Sequence, residues 1–303
     1  MLKVGKGRPL VFIVSCALLV ALTLGSSPAR AETWEQDVGG GAAGSSTAPG
    51  FGKPDNVCVG SMAVYGSHLY VGTSDGVTGC EVWRSDGAAW TKLVGQGLPG
   101  VTGPGFGSLQ NWAVESMAVY GDRLYAGTNN SGGCEVWRFD GAAWTKLVGQ
   151  GLPGVTGPGF GNPGNIGAWS MAVYGPHLYV GTRNLTGCEV WRFDGATWVP
   201  VVGSGAAMGA GFPSPGNLNT SAESMAVYGP HLYVGTSGWL GCEVWRFDGA
   251  AWTPVAGGGA TMSTGFTGGA NGDAWDMAVY GSHLYVGTGN WGGCEVWRFD
   301  GAA

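Results

Sequence analysis

A unit that recurs five times, four strand-like segments in each copy, and the lack of any long run of strong helix formers predict an all-β fold. The architecture that fits is a five-bladed β-propeller of four-stranded antiparallel blades, one blade per copy. The Met of (S/D)MAVYG falls at Met62, Met117, Met171, Met225 and Met277, and the Trp of EVW at Trp83, Trp137, Trp191, Trp245 and Trp297. Only 11% of the 303 residues are charged, while Gly contributes 61 and Trp 15, a composition suited to short strands and many turns.

Each element of the unit follows from its residues. MAVY is the first strand, and Tyr65-Gly66 with its counterparts closes a tight turn into the second strand, HLYVGT. A variable loop leads to the third strand, CEVWRF. Asp86-Gly87 and its counterparts then form the hairpin to the fourth strand, AWTKLV in the first two copies. A long linker carries the chain to the next copy.

The two ends of the chain differ from the repeat. Residues 1–31 combine Lys3, Lys6 and Arg8, an apolar stretch from Leu10 to Leu24, and Ala29-Arg30-Ala31, the pattern of a cleavable secretory signal peptide. The apolar stretch is too short for a stable membrane span. Cys16 formally matches a lipobox, but apolar residues follow it where a lipoprotein places a polar tether. Residues 32–303 are then a single propeller domain, with no transmembrane segment after cleavage and a secreted, periplasmic or cell-surface location. The last copy stops at Asp300-Gly301-Ala302-Ala303, before its fourth strand, and Thr33-Trp34-Glu35-Gln36-Asp37-Val38-Gly39 matches that strand in other copies. The N-terminal strand is therefore expected to complete the last blade and close the ring, leaving no long free edge.

At blade level the repeat resembles known propellers. Tyr-(Val/Ala)-Gly-Thr with a fourth strand opening on Trp is similar to kelch-type blades, although Gly72-Thr73 stands where kelch repeats carry Gly-Gly. Ser85-Asp86-Gly87-Ala88-Ala89-Trp90 resembles a shortened Asp-box of the sialidase type. The count of five is similar to tachylectin-type lectins, and that resemblance implies sugar sites repeated blade by blade.

Comparing the five copies separates fixed positions from free ones. Glu81 and Arg84 recur in every copy and are expected to form a structural ion pair. Cys80, Cys134, Cys188, Cys242 and Cys294 occupy one blade position, which places them beyond disulfide reach of one another, as buried small side chains. Cys58 lies outside the series, and a bridge to Cys80 on the same face stays open. His68, His177, His231 and His283 follow the first hairpin, a strand's length from the Cys, so they read as exposed turn residues rather than zinc ligands.

Variation concentrates in the loop between strands two and three and in the linker. Strand alternation places both on one face of the disc, opposite the hairpins, and that face is the candidate binding surface. Within the linkers Gly-Phe is followed by Asn five residues after the Phe: Asn56, Asn111, Asn165, Asn217 and Asn271. These Asn either satisfy loop backbone or present amides to sugar hydroxyls. Trp112, Trp169, Trp239, Trp275 and Trp291 supply planes for the C–H face of a sugar ring, with Asn129, Asn130, Asn184, Asn219 and Asn290 as polar neighbours. Two residues before each repeat Met stand Gly60, Glu115, Trp169, Glu223 and Trp275, near the mouth of the central channel, where two carboxylates can coordinate calcium.

Removal of residues 1–31 takes four basic residues and no acid, which moves the net charge from −6 to −10 and excludes nucleic acid as a natural partner. A glycosidase- or sialidase-like enzyme needs an asymmetric pair of acids or an arginine cluster. The non-repeating acids Asp55, Asp75, Glu115, Glu223, Asp273 and Asp276 show no distinctive spacing, and Arg183 is alone in its face. The sequence therefore reads as a non-catalytic, lectin-like binding module using Asn111, Trp112, Asn165, Trp169, Asn217, Trp239, Asn271, Trp275, Asn290 and Trp291. The alternative is a propeller whose divergent loops bind a surface protein.

Overall fold

The structure is a computed structural model that describes residues 36–39, 48–214, 216–266 and 270–302. The leader read at 1–31, Cys16 and Thr33 to Glu35 lie outside the described residues. Nineteen strands make up the fold, and nearly all pairing between them is antiparallel hairpin pairing.

Four units are complete. They are β1–β4 (Cys58–Tyr65, His68–Ser74, Val82–Ser85, Trp90–Val94), β5–β8 (Asn111–Tyr120, Arg123–Asn130, Val136–Phe139, Trp144–Val148), β9–β12 (Gly167–Tyr174, His177–Arg183, Val190–Phe193, Trp198–Val202) and β13–β16 (Asn219–Tyr228, His231–Gly238, Val244–Phe247, Trp252–Ala256). A fifth unit holds three strands, β17–β19 (Asp273–Tyr280, His283–Gly289, Val296–Phe299). The first strands β1, β5, β9, β13 and β17 line a common channel, to which each contributes residues. Repeated four-stranded sheets set around a channel are the blades of a β-propeller.

Neighbouring blades are joined by a repeated set of contacts. The Ser before each of the first four repeat Met residues donates to a carbonyl of the next blade, as in Ser116 Oγ to Ala168 O at 2.7 Å and Ser170 Oγ to Ala222 O at 2.6 Å. On the hairpin face Tyr120 donates to Pro176 O and Tyr174 to Pro230 O, both at 2.7 Å. The Phe of the third strand packs on tyrosines of the preceding blade, Phe139 lying 6.0 Å from Tyr70. Gly127 must be glycine, because a Cβ there would stand 2.7 Å from the Ala168 Cβ of the next blade. Each of the four junctions encloses its own apolar core, such as Tyr125, Val136, Val148, Leu178 and Trp191 between the second and third blades.

Among the described residues the expected ring is not closed. Among the described residues β19 pairs only with β18, and β1 only with β2. Val296 on β19 is 73% exposed and Tyr280 77% exposed, where their counterparts Val136 and Val190 are fully buried and Tyr120 is bonded to the next blade. The side chains at this seam also depart from the repeat. Ser85 stands where blades two to five carry Phe, and Asp276 replaces the donating Ser. An ionised carboxylate cannot donate to a carbonyl, so the serine contact cannot be copied there.

The expected Glu–Arg ion pair is also absent. Glu81 and Arg84 are three residues apart, and strand alternation sends them to opposite faces. Glu81 instead bonds Lys92 at 3.0 Å, while Arg138, Arg192 and Arg246 lie against Tyr125, Tyr179 and Tyr233. Four of the five cysteines follow expectation, Cys80, Cys134, Cys188 and Cys242 being fully buried, but Cys294, in the three-stranded unit, is exposed. Cys58 and Cys80 are both free thiols. The His rings lie edge-on to the second-strand Tyr, His177 at 6.4 Å from Tyr179.

Candidate functional site

The linker is the most constrained part of each unit. Pro-Gly-Phe-Gly folds into a single tight turn in which both Gly and Phe take positive φ, 58° at Gly159 and 62° at Phe160. All five phenylalanines of the series share this left-handed backbone, which is costly for a residue with a Cβ. The cost is offset by stacking: Phe160 lies 4.9 Å from Trp191 at an interplanar angle of 9°, with Trp198 edge-on at 5.0 Å.

The turn delivers Asn165 into the blade. Its Nδ2 donates to Gly159 O at 2.8 Å and to Glu189 Oε2 at 2.7 Å, and its Oδ1 accepts from Thr182 Oγ1 and Asn184 Nδ2. Glu189 Oε2 also accepts from Trp191 Nε1. Asn56, Asn111, Asn219 and Asn271 repeat this network in their own blades. Burial alone would raise the Glu81 carboxyl, but hydrogen bonds from Asn56, Lys92 and Trp83 outweigh it and leave the pKa lowered.

These contacts correct half of the candidate site. Asn111, Asn165 and Asn271 are fully buried and reach no ligand. In the fourth blade the network residue is Asn219, not Asn217, because two more residues separate it from the linker Phe. Asn290, like Asn130 and Asn184, caps the loop between strands two and three, accepting from Gly292 N and donating to Asn271. The fourth blade has Gly238 at that position. Asn217 fills the space, accepting from Leu240 N and donating to Gly241 O, and a Cβ on Gly238 would stand 2.7 Å from its Nδ2. Asp75 does the same work in the first blade. It is buried, yet its bonds from Lys53, Thr78 and Val77 bring its pKa down to about 2.

The tryptophans remain available. Trp239 and Trp291 project from the loops between strands two and three at 76% and 108% exposure. Trp112 and Trp275, near the starts of β5 and β17, are about half exposed. Trp112 lies beside Gly76 of the preceding blade, which confirms that linkers and second loops share one face. Trp169 is half-buried, with the Arg183 guanidinium 5.1 Å over its ring.

A cavity of about 520 Å³ opens at the channel, walled by Glu115, Trp169, Glu223, Trp275 and Asp276 above four serines and their methionines. The position two residues before Met thus forms the mouth, as its spacing predicts. Burial raises the Glu223 carboxyl to about 7, and Asp273 and Glu115 push in the same direction against Arg183. Among the described residues no three His, Cys, Asp or Glu side chains converge as a metal ion requires.

A family model for the LVIVD repeat matches residues 271–292. The extracellular domain of a putative one-component system, BT4673, from B. thetaiotaomicron is 18% identical over 80% of this chain and 27% of its own, with a TM-score of 0.48. This chain thus spans about a quarter of that protein. The SapL1 lectin, solved with alpha methyl fucoside, is 13% identical over 81% of this chain and 83% of its own, at a TM-score of 0.44. YCF48 from Cyanidioschyzon merolae is 14% identical over 79% and 65%, at 0.42. No curated protein matches the sequence significantly. No described helix is long and apolar enough to cross a membrane.

Proposed function

We propose that the protein is a non-catalytic, extracytoplasmic binding module whose loop face holds carbohydrate. The observation that carries this reading is the set of exposed tryptophans, Trp112, Trp239, Trp275 and Trp291, on one face of a rigid scaffold. A protein gains nothing from indole left in water, whereas stacking on the C–H face of a sugar uses it. With the repeated Asn buried, the grip comes from tryptophans and loop backbone, and the blades differ because Trp239 and Trp291 have no counterpart in blades one to three. Leader cleavage after Ala31 delivers the domain outside the cytoplasm. Binding of the purified chain from Glu32 to a glycan array, lost in Trp239→Ala or Trp291→Ala, tests the reading. A blank array with folded protein would move it to a surface-protein partner.

We also infer that the ring closes through the N-terminal strand. Asp37 accepts from Trp90 Nε1 at 2.8 Å, as Val201 O accepts from Trp252 Nε1, and Gly39 has φ 150° against 146° at the equivalent Gly149. A cavity of about 260 Å³ beside Phe266 and Phe299 corresponds to the slot that Trp144 fills between Phe106 and Phe139. In sequence, Trp34 is the counterpart of Trp144. Five closed kelch-like blades are the resulting architecture.

A further inference from the structure

The copies are almost identical along their strands, yet they differ at every position that rings the mouth of the channel. Residues two before the repeat Met are Gly, Glu, Trp, Glu and Trp, and those that follow the second-strand Thr are Ser74, Asn129, Arg183, Ser237 and Gly289. Divergence around the ring, on strands that are otherwise nearly uniform, marks a single asymmetric site, not five equivalent ones.

Two observations describe what that site lacks. Unpartnered polar atoms gather there. Asn129, 92% buried when taken from its 8% exposure, donates Nδ2 to Glu115 at 3.1 Å while its buried Oδ1 accepts nothing. Trp169 Nε1, in the cavity wall, is buried without an acceptor. Buried orphans of this kind are rare, and these two stand around one mouth. The second observation is charge. Glu115 on β5, Glu223 on β13, and Asp273 and Asp276 on β17 face one cation, Arg183 on β10, which is already stacked on Trp169.

We propose that the mouth of the channel binds a small organic cation, an ammonium group held by Glu115, Glu223 and Asn129 Oδ1 with Trp275 as its aromatic wall. The acids are spread over three strands around about 520 Å³, which suits a molecule of several heavy atoms rather than a compact ion. Carboxylates supply charge and acceptors, and the free indole face of Trp275 supplies the cation–π contact. This site shares Trp275 with the loop-face tryptophans but not Trp112, Trp239 or Trp291, and it goes beyond the carbohydrate reading.

Titration of the purified chain with choline and with ethanolamine, followed by tryptophan fluorescence and calorimetry, tests it, with 3,3-dimethylbutan-1-ol as the neutral isostere of choline. Saturable binding of at least one cation and none of the isostere is expected. Glu115→Gln and Glu223→Gln should each weaken it about tenfold, and Trp239→Ala should leave it unchanged. Affinity should rise between pH 6 and pH 8 as Glu223, which faces Asp273, Glu115 and Arg183, loses its proton. Circular dichroism checks the fold, and Trp275→Ala, at an exposed position, serves if a Gln variant is misfolded. No saturable response to either amine up to about 10 mM, equal binding of the isostere, or indifference to all three substitutions would overturn the proposal.

Discussion

Asn165 Nδ2 donates to Glu189 Oε2 at 2.7 Å, so a loop residue is fixed to a buried carboxylate 24 positions further along the chain. The same bond recurs in each blade and ties the linker to the third strand. Asn165→Asp would set two buried carboxylates against each other. Chemical denaturation at pH 7 should show a loss of about 3–5 kcal/mol, shrinking toward pH 4 as the new acid is protonated. An unchanged midpoint would remove the network from the stability of the fold.

Phe160 sets a packing gain against a backbone cost. Truncation to Ala loses the Trp191 and Trp198 contacts, about 3–5 kcal/mol, and keeps the positive φ. Truncation to Gly loses the same contacts but releases the backbone strain. Phe160→Gly should therefore be more stable than Phe160→Ala by about 1 kcal/mol, the reverse of the order expected in a strand interior.

Thiol reactivity should divide by position. Burial pushes the Cys80, Cys134 and Cys188 thiols far up and Cys242 to about 12, so none offers a thiolate at neutral pH. Among the described cysteines a colourimetric thiol reagent should label Cys58 and Cys294 in the native state and the rest only on unfolding.

Glu223 makes stability depend on pH. Its folded pKa of about 7 lies above the ordinary 4.5, so the folded state holds the proton more tightly. The contribution is full below pH 4.5 and is lost as pH rises through 7. Glu223→Gln should leave stability at pH 5 nearly unchanged and raise it at pH 8 by about 1–3 kcal/mol.

Closure of the ring can be read from Trp34. Because Trp34 is the sequence counterpart of Trp144, closure predicts that Trp34→Ala costs about 3–5 kcal/mol, as Trp144→Ala should in its own slot. A Trp34→Ala protein as stable as the parent would leave the fifth unit with three strands.

Much of the fold was legible because five copies repeat the same alternation and the same turns, so chance patterns cancel. Met62 and Trp83 set a register that the strands obey. The Phe–Asn spacing was legible as a motif but not as a contact, because sequence does not say which way a loop folds back. It folded inward, and that removed Asn111, Asn165 and Asn271 from the binding surface. The wider Phe–Asn spacing in the fourth blade hid Asn219 behind Asn217. The Glu81–Arg84 pair misled because recurrence was taken for contact, although a three-residue step along a strand separates two side chains. The mouth of the channel was legible from the position before Met, since strand geometry alone points it inward.

Asn217 compensates for Gly238, and this ties two distant mutations together. Restoring Asn at 238 without first changing Asn217 drives a side chain into an occupied space, and changing Asn217 alone strips the loop of its cap. Either single step is disfavoured while the double step is neutral, so the fourth blade is held apart from its sisters by epistasis. Recombination among the near-identical copies would break that match whenever a crossover fell between the linker and the second loop of this blade.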